Sequence, residues 1–180
     1  VDISDKQEKQ IVLFDKKTVK AKKHYTYNSF GSDVYSILEC KNSESEGLGL
    51  PLPMGIVKIY QENSLDGNLE FIGEDDISHK SKDDTITLST GKAFDIKAET
   101  ITNRNNKIGN EYEKEIEIKL SNNMKEEIEI VIFHSMGGGD WTILSKNFDY
   151  EKKDAYNIVI KQKLKANSKN SLKWVQRTKY

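Results

Sequence analysis

The sequence predicts an all-β fold, an antiparallel β-sandwich of roughly eleven strands with little or no helix. Apolar and polar residues alternate through most of the chain, which is the period of strands with one buried face. Turn residues separate these runs at the close spacing of a sandwich. No window of about fifteen residues carries the apolar stripe of an amphipathic helix. We expect one β-sandwich domain over residues 1–180, with residues 1–40 as a less regular N-terminal extension.

The strand predictions rest on β-branched and aromatic residues that recur at every second position. The clearest case is residues 111–120 (EYEKEIEIKL), where apolar residues face one side and Glu and Lys face the other. The same alternation marks residues 127–133, 156–164, 94–98 and 85–88. Glu and Lys favour helices, but intrinsic propensity is a weak prior beside such strict alternation.

Four polar segments predict the connections between these strands. Asp66 and Gly67 predict a tight hairpin turn between two apolar runs. Residues 121–123 predict a second hairpin, residues 103–110 a polar loop, and residues 167–170 the break between the last two strands. Consecutive hairpins favour antiparallel pairing.

Composition argues against several classes of partner. The net charge is only −1, and all but Arg104 and Arg177 of the basic residues are lysines. Because arginine is the preferred residue for reading phosphates and guanine, we predict no nucleic-acid partner. No apolar run approaches the roughly 18 residues of a membrane span, so this domain is not expected to insert into a membrane. Cys40, the single cysteine, is expected to be a small apolar strand residue.

The sequence offers no metal or cofactor motif, and we predict neither. His24, His79 and His134 are scattered without the close spacing of a zinc site. The acidic residues around His79 lack the spacing of a calcium loop, and a surface loop explains them more simply. The glycines near residues 47–55 match neither a phosphate-binding loop nor a dinucleotide fingerprint.

The segment FHSMGGGDWTIL, residues 133–144, has two interpretations. Its glycines could form an oxyanion loop, and His134, Ser135 and the amides from Gly137 through Gly139 would then belong to a cryptic hydrolase. No nucleophile elbow accompanies the loop, and neighbouring strand residues point to opposite faces. The favoured interpretation is therefore a turn between two strands, after which Asp140 satisfies local backbone donors and Trp141 anchors the next strand in the core.

Five short motifs occur in order along the chain. They are residues 49–60 (GLPLPMGIVKIY), 71–75 (FIGED), 79–82 (HKSK), 91–95 (GKAFD) and 139–141 (GDW). Together they resemble the bacterial domain-of-unknown-function family 4139, the C-terminal β-rich domain of mucoidy-inhibitor-A-like proteins. The resemblance runs from about residue 36 to the end of the chain. It departs from the family at residues 136–139, where relatives have a shorter connector before Asp-Trp.

This resemblance implies an antiparallel β-sandwich at the C-terminal end of a longer, often exported bacterial protein. A chain that starts at Val1 rather than Met is in keeping with such a fragment. The family carries no established activity, so no catalytic residue is transferred. We therefore expect a non-enzymatic interaction or assembly module of a cell-envelope or secreted protein, with a protein or a glycan as its partner. The candidate contact residues are His79, His134, Asp140 and Trp141.

Two alternatives stay open from the sequence. One is the cryptic hydrolase described above, which needs His134 and Ser135 to converge on one pocket. The other is a carbohydrate-binding module, because β-sandwiches often host sugar sites. That alternative depends on exposed aromatic side chains, for which the candidates are Tyr25, Tyr27, Tyr60, Tyr150 and Trp174.

Overall fold

The computed structural model describes residues 16–63 and 65–179, and what we expected of residues 1–15 lies outside the described residues. Its architecture confirms the all-β prediction. The only helical element in the described ranges is a single 3₁₀ turn at Glu44–Glu46. The strands are β1 (Lys22–Asn28), β2 (Val34–Lys41), β3 (Gly55–Glu62), β4 (Leu69–Ile77), β5 (Thr85–Lys92), β6 (Ile96–Ile108), β7 (Glu111–Asn122), β8 (Ile128–Ser135), β9 (Asp140–Lys146), β10 (Glu151–Lys152), β11 (Asn157–Leu164) and β12 (Ser168–Lys179).

The strands form three sheets. A six-stranded sheet has the order β10-β11-β8-β1-β2-β5, a four-stranded sheet the order β6-β7-β12-β9, and β3 pairs with β4 alone. The pairings are antiparallel with one exception, the parallel pairing of β1 with β8. That exception runs from Tyr25 opposite Ile130 to Asn28 opposite Phe133. It places a strand from the N-terminal part of the chain in the middle of the larger sheet.

The main core fills the space between the two larger sheets. Every second residue is buried in β8, in β7 from Ile116 onward and, except at Gln162, in β11, as the alternation predicts. Residues Ile118, Ile130, Ile132, Ile158 and Ile160 have no exposed surface at all. Full burial of such a side chain contributes about 1.5–3 kcal/mol relative to exposure. The sandwich is therefore held mainly by aliphatic side chains that strand periodicity places inside.

A second, smaller core lies between the β3–β4 hairpin and the edge of the six-stranded sheet. Its buried members are Cys40, Ile77, Ile86 and Leu88. The apolar environment predicted for Cys40 is confirmed, and burial raises the pKa of its thiol. The hairpin is also tied to β5 by a hydrogen bond of 2.7 Å from the Ser89 amide to the Asp75 carboxylate.

Of the four predicted connections, one is right, one is displaced and two are wrong. The break expected at residues 167–170 lies at residues 165–167, because β12 already begins at Ser168. The turn at Asp66 and Gly67 does join β3 to β4, and Gly67 has the positive φ of 71° that such a turn requires. Residues 121–123 do not form a hairpin, because β7 and β8 belong to different sheets. Residues 103–110 are not a loop, since β6 continues to Ile108 and pairs with β7 throughout.

Asn122 explains why the chain crosses between sheets after β7. Its fully buried side chain donates hydrogen bonds to the carbonyls of Glu126, Leu164 and Lys165. It also accepts one from the Met124 amide. These bonds satisfy backbone groups that a crossing chain cannot pair in a ladder.

The N-terminal extension is more regular than the sequence suggests. From Lys22 to Lys41 the chain forms β1 and β2, which are both interior strands of the six-stranded sheet. Several lysines lie in and before β1 and face the solvent. Lys22 forms an ion pair of 2.9 Å with Glu129 on β8. Tyr25 and Tyr27 supply the inward face of the strand.

Trp174 rather than Trp141 is the tryptophan of the core. Trp174 is 1% exposed and packs edge-on against His134 and Phe148. Trp141 is only half-buried, with its indole N–H donating to the Ala155 carbonyl at 2.7 Å and Lys152 lying over its ring. The expected anchoring role of Trp141 is thus confined to the rim of the core.

We expect Trp174→Ala to lower the free energy of unfolding by about 3–5 kcal/mol, because it opens a large cavity in the main core. Trp141→Ala should cost roughly 1–2 kcal/mol, since much of that ring already faces water. Urea denaturation followed by circular dichroism measures both. Equal losses in the two variants would contradict the assignment of core and rim.

Candidate functional site

The glycine-rich segment is a turn that joins β8 to β9. Met136 is buried at its start, and Gly137 and Gly139 have positive φ angles of 86° and 92°. A Cβ at Gly139 would clash with the carbonyl oxygen of Lys179, whereas Gly138 faces open space. The glycines are therefore required by backbone geometry at 137 and 139, where side chains are strained. This is the turn that the sequence favoured.

His134 lies at the end of β8, inside the core. Its ring is 3% exposed, is stacked with Phe30 at 5.4 Å and meets Trp174 edge-on at 4.8 Å. Its Nδ1 lies 2.6 Å from the hydroxyl oxygen of Ser29, which is also buried. Its Nε2 is buried without a hydrogen-bond partner in the described part of the chain. The ring is thus enclosed, and Ser29 holds it at Nδ1.

Burial controls the charge of this histidine. Loss of solvation lowers the pKa of His134 from its ordinary value of 6.5 to about 4. The Gln176 side chain opposes the change, and the positive charge of Lys114 adds to it. The imidazole is consequently neutral at pH 7. A neutral imidazole beside a serine hydroxyl has the composition of a nucleophile and its base, but both groups are closed off from solvent.

The structure does not assemble the constellation that a hydrolase at this segment requires. His134 faces the core, and Ser135 lies on the opposite face of β8. The hydroxyl of Ser135 accepts a hydrogen bond of 3.4 Å from the Gly137 amide. The hydroxyl that approaches His134 belongs to Ser29, a partner that sequence reasoning missed. Its position continues the inward parity of Tyr25 and Tyr27, but only the parallel pairing of β1 with β8 brings it to His134.

The other predicted contact residues lie apart from His134. Asp140 begins β9 on the exposed surface, and within the described ranges its carboxylate makes no hydrogen bond or ion pair. The expected bonding of Asp140 to local backbone donors is therefore not present. His79 is exposed in the loop after β4, where its Nδ1 accepts a hydrogen bond of 3.3 Å from the Met54 amide. The four candidates do not form one site.

The aromatic side chains proposed for sugar contacts divide into two groups. Tyr25, Tyr27 and Trp174 are in the core and have other partners there. Tyr60 is 46% exposed and Tyr150 is half-buried. The carbohydrate alternative therefore loses three of the five residues on which it rested.

The outer surface of the β3–β4 hairpin carries a concentration of exposed apolar side chains. Tyr60 and Phe71 are register partners whose rings meet edge-on at 5.6 Å. Val57 and Ile59 point the other way, against the small core. We call the outer surface the hairpin face, and its members are Met54, Ile56, Tyr60, Leu65, Leu69 and Phe71, all between 46% and 93% exposed.

Two further structural findings concern metal binding and membrane-spanning helices. The described residues contain no group of three or more His, Cys, Asp or Glu side chains that could hold a metal ion. Within residues 16–63 and 65–179, no helix has the length and apolar character needed to cross a membrane.

Comparisons with known proteins provide little evidence about the family or the function of this chain. No protein-family model and no curated protein sequence matches this chain. Among solved structures, the chain is similar to the folded domain of LppM from Mycobacterium tuberculosis, determined by NMR. The two share 11% identity over 96% of each chain, with a TM-score of 0.24. A similarity this low supports no inference about function, and the resemblance to family 4139 stays a prediction.

The turn geometry predicts different responses at neighbouring glycines. Gly139→Ala should lower the free energy of unfolding by about 1–3 kcal/mol, because a side chain there combines a positive φ with a clash against Lys179. Gly138→Ala is the matched control and should change it by less than about 0.5 kcal/mol. Chemical denaturation measures both changes. An equal loss of unfolding free energy in the Gly138 and Gly139 variants would contradict the described turn geometry.

The buried histidine predicts a loss of stability in mild acid. Below about pH 6.5 the unfolded chain protonates His134, while the folded protein resists protonation until about pH 4. The unfolded state therefore binds more protons across this window, and the free energy of unfolding falls by up to roughly 3 kcal/mol as the pH drops through it. Urea titrations between pH 7.5 and 4.5 measure this slope.

His134→Gln should flatten that slope, whereas His79→Gln removes an exposed ring and should retain it. An unchanged slope in His134→Gln would show that other groups cause the acid sensitivity.

Proposed function

We propose that this chain is a non-enzymatic assembly module of a bacterial cell-envelope or secreted protein, and that the hairpin face is its interface. The observation that carries the proposal is the cluster of exposed apolar side chains on β3 and β4. The assignment to the cell envelope has a different basis, since it rests on the resemblance to family 4139.

The hairpin face is too concentrated to be ordinary surface. Single exposed apolar residues are common, but contiguous apolar patches of several hundred Å2 mark interaction sites. Leu65 is 93% exposed, and Met54 and Ile56 are each about two-thirds exposed. Left in water, these side chains contribute little to folding, because the unfolded chain exposes them as well. A partner that covers them accounts for their presence.

A second copy of this chain is the partner that fits the face. Charges of both signs lie among the apolar side chains. Lys58 and Glu74 are register partners between Ile56 and Tyr60, Asp76 lies opposite Ile56, and Glu62 lies opposite Leu69. A twofold axis through the face would bring Lys58 of one copy towards acidic groups of the other, so the charges within the face are complementary across that axis. A stable interface covers about 800 Å2 on each partner. Six large exposed side chains approach that size.

The interior gives no competing site. His134 and Ser29 are enclosed, and Ser135 faces away from them. A function that uses an outer surface is therefore favoured over one that uses chemistry at residues 133–144.

We expect the wild-type chain to form a dimer at concentrations of tens of micromolar, in the range of transient to moderate interfaces. Ile56→Ser with Phe71→Ser should shift it to a monomer, because the centre of the face is lost. Sedimentation velocity across a concentration series measures the change. The matched control is Ile108→Ser with Leu144→Ser, which removes apolar groups of similar exposure elsewhere and should leave the dimer intact.

A wild-type chain that stays monomeric at about 200 µM would overturn the proposed assembly. A dimer unaffected by the hairpin substitutions would place the interface elsewhere.

A further inference from the structure

A broad groove crosses the outer surface of the four-stranded sheet. It has a volume of about 1140 Å3 and is lined by residues of β6, β7 and β12, by the loop before β6, by residues 32–34 and by Asn147. Four lysines line it, namely Lys97, Lys119, Lys169 and Lys173. We call it the lysine groove. It belongs to a different sheet from the hairpin face and does not depend on the assembly proposed above.

Strand register brings three of these lysines together. Lys97 on β6 and Lys169 on β12 are both partners of Ser121, which lies between them on β7. Lys119 is two residues before Ser121 and therefore shares its face of the sheet. Neighbouring strands are about 4.8 Å apart, so the Lys97 and Lys169 backbones are separated by roughly 10 Å. Their long side chains can converge on one anionic group above Ser121.

The acidic residues of the groove offset the charge of these three lysines only in part. Asp33 is paired with Lys92 at 2.8 Å. Glu117 accepts a hydrogen bond of 2.5 Å from Ser171 and lies 3.5 Å from Lys173. Glu99 is opposite Lys119 in the register. Within the described part of the chain, Lys97, Lys119 and Lys169 form no ion pair. The centre of the groove is therefore locally positive in a chain of net charge −1.

The remaining lining gives the groove the character of a sugar site. Ser121 and Ser171 present hydroxyl groups on the same face of the sheet as the lysines. Phe94 is 86% exposed at the same groove and offers an apolar platform for a ring. The volume is far larger than one phosphate ion needs, and it suits a short oligosaccharide. Asn147 holds this side of the sheet in place, since its side chain bonds the backbone of Ser171 and Lys173.

We propose that the lysine groove binds an anionic carbohydrate, an oligosaccharide that carries carboxylate or phosphate groups. The three lysines neutralise its charge, the polar side chains contact its hydroxyl groups, and Phe94 packs against a sugar ring. Single-stranded nucleic acid fits less well, because such sites combine several stacking aromatic residues with arginine, and the lining has one exposed aromatic residue and no arginine.

The test is calorimetric titration of the 180-residue chain with four probes at low salt. They are an oligogalacturonate, a phosphorylated mannose oligosaccharide, a neutral dextran oligosaccharide of matched length, and a single-stranded oligonucleotide. At least one of the two anionic sugars should bind, and the pair distinguishes carboxylate from phosphate as the recognised group. Dextran should bind at least about tenfold more weakly, because it lacks the charge.

Variants locate the binding in the groove. Lys97→Gln, Lys119→Gln and Lys169→Gln combined should weaken binding by about tenfold or more, and Phe94→Ala by several-fold. The matched control combines Lys23→Gln, Lys41→Gln and Lys163→Gln, which removes the same charge from exposed positions on the six-stranded sheet. That control should retain wild-type affinity, and thermal melts should show that all variants fold.

Four results would overturn the proposal. These are no binding of either anionic sugar at millimolar concentration, equal affinity for dextran, tighter binding of the oligonucleotide, or equal weakening by the control substitutions. Because the hairpin face is on another sheet, the Ile56→Ser, Phe71→Ser variant should bind sugar normally, so the two proposals can fail separately.

Discussion

The parallel pairing of β1 with β8 is the interaction on which the larger sheet depends. β1 joins β2 and β5 on one side, and β8 joins β11 and β10 on the other, so the six-stranded sheet exists only while these two strands are paired. Ser29 makes the last contacts between the two strands. Its amide donates a hydrogen bond of 3.0 Å to the Phe133 carbonyl, and its hydroxyl contacts His134. Burial of Tyr25, Tyr27, Ile130 and Ile132 against the second sheet supplies the free energy that holds it. The neutral, enclosed histidine is thus understood as part of the fold rather than as a catalytic base.

Two buried asparagines form hydrogen bonds with backbone groups that strand pairing leaves without partners. Asn122 satisfies the backbone where the chain leaves one sheet for the other. Asn42 does the same for the connector that leads to β3: it donates to the carbonyls of Leu50 and Ser81 and accepts from the amides of Gly49 and Leu50. Each side chain is fully buried and uses both its donor and its acceptor atoms. Such groups specify one path of the chain, because any other path would bury them unpaired.

Sequence periodicity predicted where most strands lie but not how they pair. Alternation is a local property, and it identified the buried faces of β7, β8 and β11 correctly. Sheet assignment is not local, so residues 121–123 resembled a hairpin although β7 and β8 separate there. The contact between Ser29 and His134 joins residues 105 positions apart and has no sequence signature.

Trp141 and Trp174 both look like core residues in sequence, and only the edge position of β9 in its sheet leaves Trp141 half-buried. Phe94 likewise alternates with Ile96 in sequence, yet it precedes β6 and is exposed.

The same reasoning explains why the candidate functions lie on outer surfaces. Strand alternation commits one face of each sheet to the core, where His134 is packed against Phe30, Trp174 and Ser29. The opposite faces are free to vary without cost to the core. On β3 and β4 that free face is apolar, which suits a protein surface, and on β6, β7 and β12 it is cationic and polar, which suits an anionic sugar. Because most residues of both surfaces lie on paired strands, their backbones are held at fixed spacing before any partner arrives, and less conformational entropy is lost on binding.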